Sequence, residues 1–519
     1  MNKRLIGIVI GVISLVALIA IILITSPRIK FNNIIISSET YENIKSTREL
    51  IKDDVLTSIS FNNYNLFKSS NGEDLYYSLL KNSMNRYNPS IKYHTSLTKS
   101  KIAVVENQIT DEIIENNQEI IILLYNDQFY KEYHLVSTTL PIMNINYSSH
   151  FDESTDMKVN MDMYLFDNQD EIHNRDIVSH GEISVRGNLA STYPKKAYNI
   201  ALKQESLGYN KRNNDISLLN MRKDNNYILY PAYNDQEKVR NVLASRIWYE
   251  SSATNNEFDV INGMYYKYIE LFINNEYHGL YALGFPINEA ALQLKSNIDG
   301  VYTEYTFKKN EREGMANDYV LKTNGKTDHN EYNVLNNHRK ELKDARTVKE
   351  LKEVIDYNNA IDSYLFIQLI LGVDNLDKNM YMTLKENNGK YKALYTPWDL
   401  DITFGNASDK MVNNNTIPYR YNYNYALDEY DNPIMKLNSS VIKEDIKNRY
   451  KELRNNAWSN DTLNSYIDEY EKDIYSSGAF LRDKDRWTEG NYNSSTEKLS
   501  KIKEFMKNRL TYSDEYINK

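Results

Sequence analysis

With 519 residues the chain can support two or three domains around a large core. Its net charge of −9, from 62 basic and 71 acidic residues, gives no electrostatic footprint for nucleic acid. The lack of cysteine excludes disulfides, thiolate zinc sites and a cysteine nucleophile.

Residues 5–25 are an uncharged apolar run matching the ~20 residues that cross a bilayer. Lys3 and Arg4 precede it, so the positive-inside rule places a cytoplasmic tip at 1–4 and the rest of the chain outside. The run is longer than the core of a cleaved signal, and Thr25-Ser26-Pro27-Arg28 offers no A-x-A-like site, so an uncleaved single-pass membrane anchor is expected. Residues 26–95 are polar and Asn-rich with helical patches at 47–56 and 75–80, and read as a stalk or membrane-proximal region. Residues 96–148 carry β-branched runs at 101–105, 119–125 and 130–138 parted by polar turns, which predicts a small β domain with a spacing or interaction role.

The segment 181–203 is more informative. Strands are expected at 183–186 and 197–202, joined through Gly187 and a hydroxyl-rich connection ending at Pro194. Such a turn can bring backbone N–H groups near phosphates. Lys195 and Lys196 begin the returning strand, where neighbouring side chains face opposite ways, so one of the two can enter a cleft. Lys196 is favoured, with Arg186 as a second cation, against the blander reading of an ordinary hairpin with exposed lysines. A helix is predicted over 234–248, capped by Asn234 or Asp235, with Val239, Leu243 and Ile247 as its apolar stripe and Glu237 as an acidic candidate. A hairpin at 265–283 ends in a linker, 284–286, placed where a hinge between two lobes would lie. Residues 300–357 read as a polar insertion with a helix near 348–355.

The chain is organised around 358–405. An apolar helix over 361–371 should stop near Gly372, a residue suited to the left-handed cap. A polar loop with Asp374, Asn375, Asp377 and Asn379 follows, then strands at 380–384 and 391–398 with a turn at 386–389. Going out along one strand and back along the other returns Asp399 and Asp401 to Asp374 and Asn379. Carboxylates and a carboxamide gathered at a hairpin mouth suit a hard divalent cation such as magnesium. Protein kinases place their catalytic loop and metal-binding Asp in this order. Alone, each motif is no more than an acidic loop or an Asx-capped turn. Helices at 442–454, 462–475 and 495–516 would complete a helical lobe, in which Arg482, Arg486 and Trp487 read as structural.

Together these pieces resemble the spore coat protein H (CotH) family of atypical secreted protein kinases. The resemblance rests on Val185-Arg186-Gly187-Asn188 with Pro194-Lys195-Lys196-Ala197-Tyr198, and on Asp235 with Arg240-Asn241-Val242-Leu243-Ala244. It also rests on Ile273-Asn274-Asn275-Glu276-Tyr277-His278-Gly279-Leu280-Tyr281 and Pro397-Trp398-Asp399-Leu400-Asp401-Ile402-Thr403-Phe404-Gly405. It implies an α+β, two-lobed protein-kinase-like fold over 149–519, with a β-rich N-lobe to about 286 and a helical C-lobe beyond. It further implies ATP as co-substrate, Mg2+ or Mn2+, and transfer to Ser or Thr of a coat or envelope protein. Asp374 would be the catalytic Asp, Asn379, Asp399 and Asp401 the metal group, and Lys195 or Lys196 with Arg186 the phosphate contacts. The family often has Glu near the hinge where this chain has Phe285, which bears on nucleotide preference. The catalytic part would be extracytoplasmic or spore-associated. Two rivals are a kinase-like scaffold without turnover and a metal-dependent phosphohydrolase; a glycosidase built on Asp374 and Asp399 lacks an acid in an apolar setting.

Overall fold

The computed structural model describes residues 28–70, 74–79, 86–147, 150–155, 157–167, 175–187, 190–204, 212–309, 319–375, 378–406 and 433–517. The apolar run at 5–25 lies outside them, as do Asn188, Leu189 and Asp377. Among the described residues no helix is long and apolar enough to cross a membrane.

From Ile29 onward the chain is in short strands. A four-stranded sheet contains Leu56–Phe61 and Ser90–Thr95, and a larger one contains Lys101–Val105, Ile120–Tyr125, Phe129–Thr138 and Leu75–Leu79. Phe31, Leu56, Ile59, Ile91, Val104 and Ile122 meet in one buried cluster between them. The expected stalk at 26–95 is therefore corrected. Phe31, Leu56, Phe61 and Ile91 share a core with Ile102, Ile122 and Leu135, and Leu75–Leu79, within the helical patch expected at 75–80, is a strand paired in parallel with residues 134–138. Short strands take their order from distant partners, which a local apolar pattern cannot reveal.

The chain next builds a closed seven-stranded barrel. Its strands are β1 (Ile142–Asn146), β2 (Val159–Asp167), β3 (Arg175–Arg186), β4 (Ala197–Lys203), β5 (Asn226–Tyr230), β6 (Tyr266–Ile273) and β7 (Glu276–Gly284). They run in the order β1-β2-β3-β4-β5-β7-β6, and β6 closes the ring by pairing parallel with β1. β2 shows the cause in its alternation: Val159, Met161 and Met163 are buried while Asn160 and Asp162 face out. With Ile145, Ile183, Ile200 and Leu271 they fill the interior. β1 thus belongs to the barrel, ahead of the boundary expected at 149.

Helix α1 (Arg240–Ser251) connects β5 to β6. It starts later than the 234–248 expected, because Lys238 has φ +64°, and the Asp235 carboxylate accepts from the Arg240 backbone N–H. Beyond the barrel, β8 (Tyr305–Lys309) and β9 (Tyr319–Leu321) lead to α2 (Glu331–Asp344), α3 (Val348–Val354) and α4 (Tyr357–Ile370). The hairpin β10 (Met380–Asn387) and β11 (Lys390–Pro397) joins β8 and β9 in a four-stranded sheet. The described residues of the polar stretch 300–357 are therefore part of this sheet and its helices rather than an insertion, and Tyr305 and Phe307 are fully buried. The C-terminal helices are α5 (Ser440–Asn455), α6 (Asn460–Glu471), α7 (Ala479–Arg486) and α8 (Ser500–Ile517). They enclose α4 in one core with Phe366, Ile370, Ile446, Trp458 and Ile502. The whole is α+β.

The N-terminal sheets dock on the barrel. Tyr77 and Val136 pack on Phe166, Phe272 and Tyr277, and Thr138 donates to buried Glu270 at 2.9 Å.

Candidate functional site

The hairpin turn sets the geometry. Asn388 and Gly389 have φ +53° and +78°, a two-residue loop of the kind that preserves strand twist. The resulting register sets Met380 opposite Pro397, and the Trp398 N–H donates to the Asn379 carbonyl at 3.0 Å. The residues flanking the two strands are thereby side by side. Asn379 and Asp399 both take left-handed backbone, φ +57° and +56°, which Asn and Asp tolerate better than most residues.

Helix α4 delivers the other half. Its cap is Leu371, φ +50°, rather than Gly372. Gly372 is needed for space instead, since a Cβ there would lie 2.9 Å from Asn375 Oδ1. Asn375 then donates to the carbonyls of Asn379 and Trp398, both at 2.8 Å, and so ties the loop to the hairpin mouth. Asp374 is 7% exposed. Its Oδ2 accepts from Asn379 Nδ2 at 2.7 Å, and its Oδ1 lies 3.3 Å from Lys378 Nζ. This fixes the Asn379 amide with its oxygen turned away, and that buried Oδ1 has no partner among the described residues.

Asp399 is open to water on one side and enclosed by protein on the others. Burial pushes its carboxyl above the ordinary range; Lys308 and Arg186 oppose that shift, Asp374 adds to it and Lys378 opposes it. Asp401 is pushed far higher, by burial first and then by Asp399, Asp235 and Asp374. The Tyr230 hydroxyl is held neutral by burial and by the charges of Asp401, Asp235 and Asp399. The backbone between the two carboxylates is held from α1: the Leu400 N–H donates to Asn241 Oδ1 at 3.0 Å. Asn241 also hydrogen-bonds the Tyr266 hydroxyl.

The three basic residues singled out from sequence separate. The Arg186 guanidinium lies over the Trp398 ring, 5.2 Å from its centroid, and bears on Asp399. Lys195 and Lys196 precede the returning strand, which begins at Ala197, rather than opening it, and both ammonium groups are committed elsewhere. Lys196 donates to the Ser191 carbonyl at 2.9 Å within its own loop. Lys195 is fully buried, 2.7 Å from Asp483 Oδ1, and also donates to the carbonyls of Pro231 and Leu280. Glu237, the sequence candidate for a lysine partner, pairs with Arg240 alongside Asp235. The cations that sequence reasoning missed are Lys308 on β8 and Lys378 in the loop. No local signal marks Lys308; its position follows from β8 pairing with β10.

Asn379 Oδ1 and the Asp399 carboxylate are oxygen donors of the class that hard divalent cations take. Among the described residues no three acidic or histidine side chains could hold a metal by themselves. What converges is an amide oxygen with no partner among the described residues and carboxylates raised first by burial and then by neighbouring carboxylates, a set that suits an ion taking its remaining ligands from phosphate and water. Asn379 Oδ1 and Asp399 would hold it, with Asp401 and Asp374 beside them.

A family model described as CotH kinase protein matches residues 183–513, which are 331 of the 519 residues and include every site residue named above. No curated protein matches the chain.

Proposed function

Because the chain belongs to the CotH kinase protein family, we propose that it transfers the ATP γ-phosphoryl group to a Ser or Thr hydroxyl of a coat or envelope protein. Asp374 accepts the proton of the acceptor hydroxyl as its oxygen bonds to phosphorus and the bond to the β-phosphate oxygen breaks. Lys378, ion-paired with it, offsets the charge of that carboxylate. Asn379 and Asp399 would hold a magnesium ion, which when bound would neutralise phosphate charge. Arg186 and Lys308 supply fixed positive charge beside Asp399. Positioning and electrostatics account for the rate, with little covalent chemistry left to the protein.

The observation that carries this reading is Asn379. Its amide is clamped by Asp374 and its oxygen is buried without a partner among the described residues. A buried polar atom costs stability unless something meets it. The deciding measurement is transfer of labelled γ-phosphate from Mg-ATP to a Ser-rich basic polypeptide, followed by mass spectrometry. Phosphoprotein should form with the full chain and fall by roughly 100-fold or more in Asp374→Ala. Phosphate release without phosphoprotein would mean a hydrolase, and nucleotide binding without turnover a scaffold.

A further inference from the structure

A recess lies between α4, α5 and α8, and none of the acidic-cluster residues lines it. It encloses about 540 Å³, within the ~300–1,000 Å³ usual for ligand sites. Leu365 and Leu369 of α4 and Ile446 and Tyr450 of α5 give it apolar walls. Lys443 and Lys447 line it one helical turn apart, with Glu444 between them in sequence. Neither lysine has an ion-pair partner among the described residues, so the cationic side outweighs the single carboxylate. Tyr516, 53% exposed, also lines the recess, and Val441, 54% exposed, follows lining residue Ser440.

Trp458 adds an independent observation. It lines the same recess, is 1% exposed, and its indole N–H has no acceptor among the described residues. A buried indole N–H normally has one. Trp458 follows the C-terminal end of α5, whereas Lys443 lies in the first turn, so acceptor and anion are wanted at separate points along the recess.

We propose that this recess docks an extended peptide segment of a partner protein, with apolar side chains inside, an Asp or Glu on Lys443 and Lys447, and a backbone carbonyl on the Trp458 N–H. A peptide carries carbonyl acceptors along its whole length; an acyl chain has oxygen at its head alone. The docking site does not depend on the phosphotransfer reading. It does lie against α4, the helix that leads into Asp374.

The test uses the full chain and a fluorescein-labelled eight-residue peptide of alternating Leu and Asp, read by fluorescence anisotropy. Saturable binding is expected, weakened at least tenfold in Lys443→Glu/Lys447→Glu and severalfold in Trp458→Phe. A Leu-Lys peptide should not bind. Unchanged melting of both variants shows that the folded recess was being tested. No saturable binding by the wild-type chain overturns the proposal. Equal affinity in the lysine variant does so too, as does displacement-resistant binding of dodecanoate at this site with no binding of the peptide.

Discussion

The charge cluster around Lys195 and Asp483 and the one around Asp374 and Asp399 are built on opposite rules. In one, every charge is answered. Lys195 has Asp483 and two carbonyls, which uses all three ammonium hydrogens. Arg482 pairs with Glu270, whose other oxygen accepts from Tyr277 at 2.6 Å. Lys238 donates to three carbonyls and lies over the Tyr492 ring. Gly279, φ +123°, leaves room for this packing, since a Cβ there would overlap the Asp483 carboxylate. In the other cluster, burial and Asp374 raise the proton affinity of Asp399, Asp399 in turn raises that of Asp401, and Asn379 Oδ1 has no partner among the described residues. A closed network fixes the barrel against α7. An open one has unmet bonding capacity, and that is where a ligand gains free energy.

Breaking the closed network should have the largest effect on stability. Asp483→Ala leaves Lys195 buried without its counter-charge, and such losses cost roughly 3–5 kcal/mol. Chemical denaturation should show it as a lower midpoint with an unchanged slope. A loss under about 1 kcal/mol would mean that carbonyls alone suffice for Lys195.

The same network should make the protein sensitive to acid. His278 stacks on Tyr281 and meets Trp487 edge-on. Burial, then Arg486 and Lys195, lower its pKa from 6.5 to about 3. The unfolded chain therefore binds a proton there that the folded chain refuses. Between about pH 6.5 and pH 3 the unfolded state holds more protons, so stability falls as pH falls, by a few kcal/mol at most from this group. His278→Phe should flatten that part of the stability-against-pH curve. An unchanged slope would assign acid lability to other groups.

The two clusters also differ in how far they could be read from sequence. The acidic and amide residues of the open one were legible because the hairpin that gathers them is local, whereas Lys308 and Asn241 were not. Asn388-Gly389 announces a two-residue turn, and the turn fixes the register that brings Asn379 beside Trp398. Asp374, Asn379, Asp399 and Asp401 follow from that register. The closed cluster was not legible. Nothing near Lys195 in the chain points to Asp483, which arrives on α7, a short helix that apolar periodicity did not reveal. Asn241 was hidden in the same way: its acceptor role is defined by a backbone N–H 159 residues away. The α1 start was misplaced because Asp235 caps through Arg240, beyond a turn that includes left-handed Lys238. The N-terminal sheets failed for a further reason, since their short strands are specified by partners rather than by composition.

Asn241 joins the two halves of the open cluster, and removing it is the next test in size. Asn241→Ala strips the acceptor from the Leu400 N–H, a loss of about 1–2 kcal/mol. Under the proposed reading it should also raise the magnesium needed for half-maximal transfer more than it raises the ATP KM, because the turn carrying Asp399 and Asp401 loses its anchor. An equal change in both would make Asn241 a general stability residue.

The smallest expected effect has the opposite sign. Asp401 is held far above the ordinary carboxylate range by burial and by Asp399, Asp235 and Asp374, so its ionised form is unfavourable in the folded chain at neutral pH. Asp401→Asn removes one member of that repulsion without changing shape. In chelator at neutral pH the variant should melt higher than the parent, whereas Mg-ATP should stabilise the parent more than the variant. The crossing of the two rankings is the informative result. If the variant melts lower without ligand, the acidic cluster is already compensated from within, and the contrast between a closed and an open network no longer explains where function lies.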